Sequence, residues 1–197
     1  MESHGGYLCQ FQNVDAAWIH HLATEALIEE GQSPNDVALL ATVLGGPRII
    51  RFAWDAPFSY GRRGARWYMT HHALARLLSV HVNVAVHSYA FDPQQVEQVS
   101  TYAEGHQVGG ETLYYEDTEL PEDVEDEQFF RKLQSKWPLG HLARILGIAR
   151  GELLRAPRQS TAWIDLSRPI ASQPLWDLFP ESVQALRHHE LYTARER

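Results

Sequence analysis

Paired histidines are the first residues in this sequence whose type could support chemistry. Three doublets occur, at His20-His21, His71-His72 and His188-His189. Neighbouring residues on a helix point about 100° apart, so a doublet cannot chelate one metal ion from one helix face. A zinc-protease helix also needs histidines at i and i+4 with a glutamate beside the first, and the sequence has no such motif. We therefore expect no metal site.

The segment Gly61-Arg62-Arg63-Gly64, followed by Arg66-Trp67, is the second candidate. Backbone N–H groups of glycines together with guanidinium groups could hold an anion or a phosphate. The segment lacks the Lys-Ser/Thr ending of a P-loop and the strand-GxGxxG-helix context of a dinucleotide site. It is therefore interpreted as a loop with exposed arginines.

Catalytic residues form no readable linear motif. There is no GxSxG nucleophile elbow, no kinase signature, and no deaminase HxE followed by CxxC. Cys9 is the only cysteine, so the chain cannot form an internal disulfide or a cysteine-based zinc site. An enzyme whose carboxylates meet only in the folded chain stays an alternative, but we favour a non-enzyme and expect no cofactor.

Residues 139–156 resemble a helix-turn-helix. The small Ala143 would allow close helix approach, and Gly147 would occupy the turn. Gly151 and Pro157 weaken and shorten the second helix, and duplex DNA would have to accept a chain of net charge -8. A helical hairpin packed beside a sheet is the favoured interpretation, and a DNA-binding regulator is the alternative. The shared apolar seam would consist of Leu142, Leu146, Ile148 and Leu153.

Acidic residues are concentrated in one part of the chain. Residues 84–130 contain twelve Asp or Glu and no Lys or Arg, whereas residues 131–197 contain eleven Lys or Arg and six Asp or Glu. A dense negative field steers a positively charged partner, and neighbouring aromatic side chains supply affinity. We predict a partner-binding surface that consists of Tyr114, Tyr115, Glu116, Asp117, Glu119, Glu122, Asp123, Glu125, Asp126 and Glu127.

The predicted function is a non-catalytic protein-binding module, of inhibitor or immunity type, that binds a basic protein. A solvated acidic loop without a partner is the simpler alternative. The sequence shows no signal-peptide pattern and no apolar run long enough to cross a bilayer. We therefore expect a cytoplasmic protein without a membrane partner, and the oligomeric state stays open.

The elements that must position these residues follow from the hydrophobic pattern. Apolar and polar residues alternate across 85–117, with breaks at Asp92-Pro93 and Glu104-Gly105. This pattern predicts an antiparallel meander at about 82–116, in which Gly105 supplies a positive φ at the turn. The predicted strands are 7–11, 48–54, 82–89, 96–103 and 107–116.

Three helices are predicted before the meander, at 15–30, 34–44 and 70–80. Asp15, Ser33-Pro34 and Thr70 provide their N-terminal signals. Each helix has one apolar stripe, so we expect them to pack on one face of the sheet. The predicted fold class is α+β with a mainly antiparallel sheet. Residues 1–120 would form the sheet domain, and residues 128–197 a helical C-terminal extension packed on it, within a single structural domain overall.

Overall fold

The computed structural model describes residues 4–10, 14–45, 49–55, 72–82, 84–118, 127–155 and 161–185. Within them, seven strands form one antiparallel sheet, which confirms the predicted α+β class. The strands are β1 (His4–Gln10), β2 (Ala38–Leu44), β3 (Ile49–Asp55), β4 (Val86–Asp92), β5 (Val96–Ala103), β6 (His106–Tyr114) and β7 (Thr161–Asp165), in the spatial order β6-β5-β4-β1-β3-β2-β7.

Local turn chemistry builds the predicted meander β4-β5-β6. The Asp92 carboxylate accepts the Gln94 N–H at 3.0 Å and closes the first turn. The second turn is a two-residue connection in which Glu104 has φ 51° and Gly105 has φ 80°. Positive φ at both central residues matches the right-handed twist of the flanking strands. The prediction for Gly105 is confirmed, and Glu104 shares the left-handed conformation.

Helix α1 (Ala16–Glu29) begins at the predicted N-cap. The Asp15 carboxylate accepts the N–H groups of Ala17 at 2.8 Å and Trp18 at 3.1 Å. Helix α2 (Ala73–His81) corresponds to the predicted third helix, and His72 occupies its N-cap position. Thr70, the predicted cap, lies outside the described residues. Both helices pack on one face of the sheet, as expected. Their core on that face includes Ile19, Leu22, Leu74, Leu78, Ile50 and Phe52.

The helix predicted at 34–44 is wrong. Pro34–Asp36 forms one turn of 3₁₀ helix, in which the Ser33 hydroxyl accepts the Asn35 N–H at 3.3 Å. The following residues, 38–44, form β2, which pairs with β3 and β7. Strands covered on both faces have continuous apolar sequences, and a short apolar run of this kind fits a buried strand as well as a helix. The Ser33 cap therefore forms as predicted, but burial within the sheet makes residues 38–44 a strand.

The opposite face of the sheet carries α4 (Pro138–Leu146) and α5 (Arg150–Leu153). Helix α3 (Glu127–Gln134) precedes them in the chain and has no buried residue. Buried side chains of α4 and α5 pack on Leu8, Tyr89, Phe91 and Val99. The range predicted as a helical extension also contains β7, because the β-favouring segment 161–165 pairs with the edge of β2. The sheet is thus covered by helices on both faces. In the described part of the chain, no helix is long and apolar enough to cross a membrane.

Candidate functional site

The predicted binding surface begins at the end of β6. Tyr114, the last residue of β6, is 50% exposed, and residues 115–117 form one turn of 3₁₀ helix. Glu116 and Asp117 are exposed on that turn. We name Tyr114, Glu116 and Asp117, together with the outer side of β6, the acidic edge surface.

Tyr115 turns away from this surface and into the protein. Its hydroxyl donates to Glu97 Oε1 at 3.0 Å, and its ring centroid lies 5.3 Å from that of Trp137. Burial raises the pKa of Tyr115, and the neighbouring Glu97 carboxylate raises it further. The hydroxyl therefore stays protonated and donates. Through its contacts with Glu97 and Trp137, Tyr115 anchors the 3₁₀ turn to the interior of the protein.

Of the remaining predicted site residues, the structure describes Glu127 but not the other five. Glu127 is exposed at the start of α3, and its carboxylate accepts from Arg131, one turn later, at 2.6 Å. The predicted residues that lie outside the described part of the chain are Glu119, Glu122, Asp123, Glu125 and Asp126.

Strand β6 is an edge strand that is open over most of its length. Eight of its nine residues are exposed, and no described strand pairs with its outer side. The Tyr115 N–H donates to the Gln95 carbonyl of the adjacent turn at 2.9 Å, so the N–H of Tyr115 points inward, toward that turn. Because hydrogen-bonding direction alternates along an antiparallel strand, the N–H and C=O groups of Thr112 and Gly110 point outward, as does the N–H of Tyr114. The sequence pattern predicts β6 but not its position at the edge of the sheet.

The side chains of β6 combine apolar, small and acidic groups. Val108 is 63% exposed and Tyr114 is 50% exposed, so apolar groups stand near both ends of the strand. Gly109 and Gly110 lie between them. Glu111 is exposed, and its carboxylate lies 2.9 Å from Nδ1 of His141 on α4. The edge is therefore accessible and carries negative charge.

A buried polar network supports the acidic edge surface. The Glu97 side chain is 0% exposed and accepts from the Arg150 guanidinium, the Tyr115 hydroxyl and, at 3.1 Å, the Leu139 N–H. Leu139 lies in the first turn of α4, where backbone N–H groups lack partners within the helix and a carboxylate is stabilised. The Arg150 guanidinium carbon also lies 5.7 Å from the Trp137 ring centroid. One carboxylate on β5 thus fixes the 3₁₀ turn, α4 and α5 to each other.

A second set of side chains holds the other end of α5. The Leu153 carbonyl accepts from the Tyr89 hydroxyl at 3.1 Å and lies 2.9 Å from Nε2 of His4. Arg51, which is 1% exposed, donates to the Arg155 carbonyl at 2.6 Å. A cation is stabilised at the negative end of a helix, so the buried Arg51 charge is placed where the C-terminal carbonyls of α5 need donors.

Residues 138–155 therefore form the predicted helical hairpin, packed on the sheet. Gly147 occupies the turn with φ 68°. Arg150, at the start of the second helix, is only 17% exposed and is bound to Glu97. The second helix is a single turn of four residues. A short helix with its basic side chain directed inward offers little to a DNA groove.

A polar cluster that no sequence pattern predicts lies on the sheet face covered by α1 and α2. The Trp54 indole N–H donates to the Tyr7 hydroxyl at 2.7 Å, and Nδ1 of His72 lies 3.1 Å from the Ser88 hydroxyl. Burial raises the pKa of Tyr7, so this hydroxyl stays neutral. Ser88 is 3% exposed on the central strand β4, so this serine–histidine pair is closed to a substrate. These contacts satisfy the polar groups of the core.

The other sequence candidates are the histidine doublets and the arginine-rich segment. His21 on α1 lies 3.4 Å from Glu25, one turn along the same helix, and the arginine-rich segment 61–66 is outside the described residues. Among the side chains that the structure describes, no group of three or more His, Cys, Asp or Glu is arranged to hold a metal ion. Comparison of the chain with protein-family models, with curated proteins and with solved structures gives no match.

Proposed function

We propose that this chain is a non-catalytic protein-binding module, of inhibitor or immunity type, and that its acidic edge surface binds a basic protein. The observation that carries the proposal is the exposure of Tyr114, Glu116 and Asp117 together at the end of an open sheet edge. The cytoplasmic location predicted from the sequence is part of the same proposal.

The charge of the surface favours a positive partner. Glu111, Glu116 and Asp117 are exposed, and residues 84–130 contain no Lys or Arg. The electrostatic field of these three carboxylates extends about 8 Å at physiological ionic strength and raises the association rate of a cationic partner. Nucleic acid and anionic membranes would be repelled by the same charges.

Affinity requires an apolar contact as well as charge. Tyr114 supplies an exposed aromatic ring next to two carboxylates, and tyrosine is enriched at the energetically dominant positions of protein interfaces. The buried Glu97 network holds the turn that carries those carboxylates, so the surface loses little conformational entropy when a partner binds.

Affinity capture from the source cells, with a charge-reversed variant, tests this function. The variant Glu116→Lys/Asp117→Lys reverses two charges of the surface. The control Glu25→Lys/Glu181→Lys makes the same change in net charge at exposed residues of α1 and of the terminal helical segment 181–185. We expect the wild type and the control to retain the same basic protein, and the Glu116/Asp117 variant to lose it.

Two outcomes would overturn the proposal. In the first, the wild type retains no basic protein above the background of an unrelated acidic protein. In the second, the wild type and the Glu116/Asp117 variant retain the same protein equally well. Purified components must reproduce the captured complex, because the proposal concerns a direct contact.

A further inference from the structure

We infer that the partner binds by strand addition, in which an extended segment bearing Lys or Arg pairs with the outer side of β6. This inference rests on the proposed function and specifies its binding mode. The carrying observation is a nine-residue edge strand whose outer side pairs with no described strand, placed beside exposed carboxylates.

The backbone of β6 can accept a new strand. The N–H and C=O groups of Gly110 and Thr112 and the N–H of Tyr114 point outward, because the Tyr115 N–H is bound on the inner side. The Tyr114 carbonyl instead accepts from the Thr118 hydroxyl at 3.3 Å. Main-chain hydrogen bonds to such alternate residues supply the affinity when a peptide binds as an added strand. No residue of β6 is buried, so the described part of the chain leaves this side of the sheet accessible.

The side chains along the edge determine which strand fits. Thr112 and Tyr114 share one face of the sheet, and Glu111 lies on the opposite face, where it meets His141 of α4. Gly110 has no side chain to obstruct an approaching backbone. Side chains directly opposite in adjacent strands lie about 5 Å apart, so a Lys or Arg opposite Glu111 would form a favourable cross-strand pair.

Charge also argues against a second copy of this chain as the added strand. Antiparallel pairing of two copies of β6 centred on Thr112 would place the two Glu111 side chains diagonally across the strand pair, about 7–8 Å apart on one face. Like charges across a strand pair are destabilising, and natural proteins use such charges to keep edge strands from associating with themselves. The same carboxylates would attract a basic strand.

The test uses a synthetic peptide about ten residues long, a typical upper length for a strand, with alternating Lys and Val and blocked ends. A twin peptide carries N-methyl groups at alternate residues, which removes backbone donors and leaves the charge unchanged. Binding is followed by the amide NMR signals of the ¹⁵N-labelled protein. We expect saturable shifts at Gly110, Thr112 and Tyr114, and binding at least about ten-fold weaker for the twin, since it loses backbone hydrogen bonds.

A protein variant provides an independent arm. Thr112→Pro removes one outward N–H, and proline is tolerated at the solvent side of an edge strand. Its amide spectrum must match that of the wild type away from β6, and its affinity for the peptide should again fall at least about ten-fold. Thr112→Val is the matched control, because it keeps the N–H, and it should bind like the wild type.

The outcomes separate this inference from the proposed function. If Glu116→Lys/Asp117→Lys abolishes binding but N-methylation and Thr112→Pro do not, charge attraction operates without strand addition and the inference is wrong. If neither peptide shifts any signal, both the strand addition and the affinity of this surface for basic chains are refuted. Concentration-dependent shifts at β6 without peptide would identify a second copy as the added strand and also overturn the inference.

Discussion

Replacing Arg150 by Met should destabilise the protein strongly, because it leaves the buried Glu97 carboxylate without its cation. Glu97 is 0% exposed and Arg150 is 17% exposed, so water can do little to solvate the Glu97 carboxylate in place of the lost guanidinium. Removal of one partner of a buried ion pair costs about 3–5 kcal/mol. The Tyr115 hydroxyl and the Leu139 N–H still donate to the carboxylate. We therefore expect the loss of unfolding free energy to lie at the lower end of this range, about 3 kcal/mol.

A double-mutant cycle isolates the pair. In Glu97→Gln/Arg150→Met, the amide oxygen keeps an acceptor for the Leu139 N–H, and no buried charge is left. We expect the double variant to lie within about 2 kcal/mol of the wild type and to be more stable than Arg150→Met. The free energy of unfolding is measured by urea denaturation, and thermal unfolding should show Arg150→Met melting about 6–12 °C lower.

Two results would refute this reasoning. A loss below about 1 kcal/mol for Arg150→Met would mean that the pair behaves like an exposed ion pair. Additive losses in the double variant would mean that Glu97 and Arg150 contribute independently, so that the carboxylate does not connect the 3₁₀ turn with α5.

Three further predictions follow from single features. Gly105→Val should cost roughly 1–3 kcal/mol in urea denaturation, since φ is 80° and the new Cβ would lie 2.9 Å from Cγ2 of Val80; an unchanged midpoint would contradict it. Burial lowers the pKa of His87, so the unfolded chain binds more protons, and the stability present above about pH 6.5 should fall as the pH drops below that value. His87→Gln should flatten this dependence between about pH 7 and 5, and identical slopes would disprove the assignment. The wild type should show no salt-dependent, sequence-specific binding to duplex DNA by fluorescence anisotropy, and such binding, lost in Arg150→Ala/Arg155→Ala, would restore the DNA-binding interpretation.

Features encoded by local sequence were predictable. The N-cap at Asp15, the positive φ of Gly105 and the turn at Gly147 each follow from the chemistry of one or two residues. The meander followed from period-two alternation over a long stretch. These signals require no knowledge of what packs against them.

Features created by tertiary packing were not predictable. The segment 38–44 became a strand because it is covered on both faces, which its apolar sequence does not distinguish from a helix. Tyr115 was expected on the binding surface but turns inward to Glu97, a partner eighteen positions earlier in the chain. The acidic edge surface was predicted from charge for Tyr114, Glu116 and Asp117, whereas the open side of β6 depends on strand order. The acids at 119–126 stay a prediction.

The association rate of the captured partner, measured against ionic strength, tests the proposed function most directly. Between about 0.05 and 0.5 M salt the screening length falls several-fold, so the rate for the wild type should drop at least about ten-fold. Glu116→Lys/Asp117→Lys should associate more slowly and show a flatter salt dependence, whereas Glu25→Lys/Glu181→Lys should behave like the wild type. An association rate that ignores both salt and the reversal of Glu116 and Asp117 would contradict the proposal and leave the acidic segment as a solvated loop.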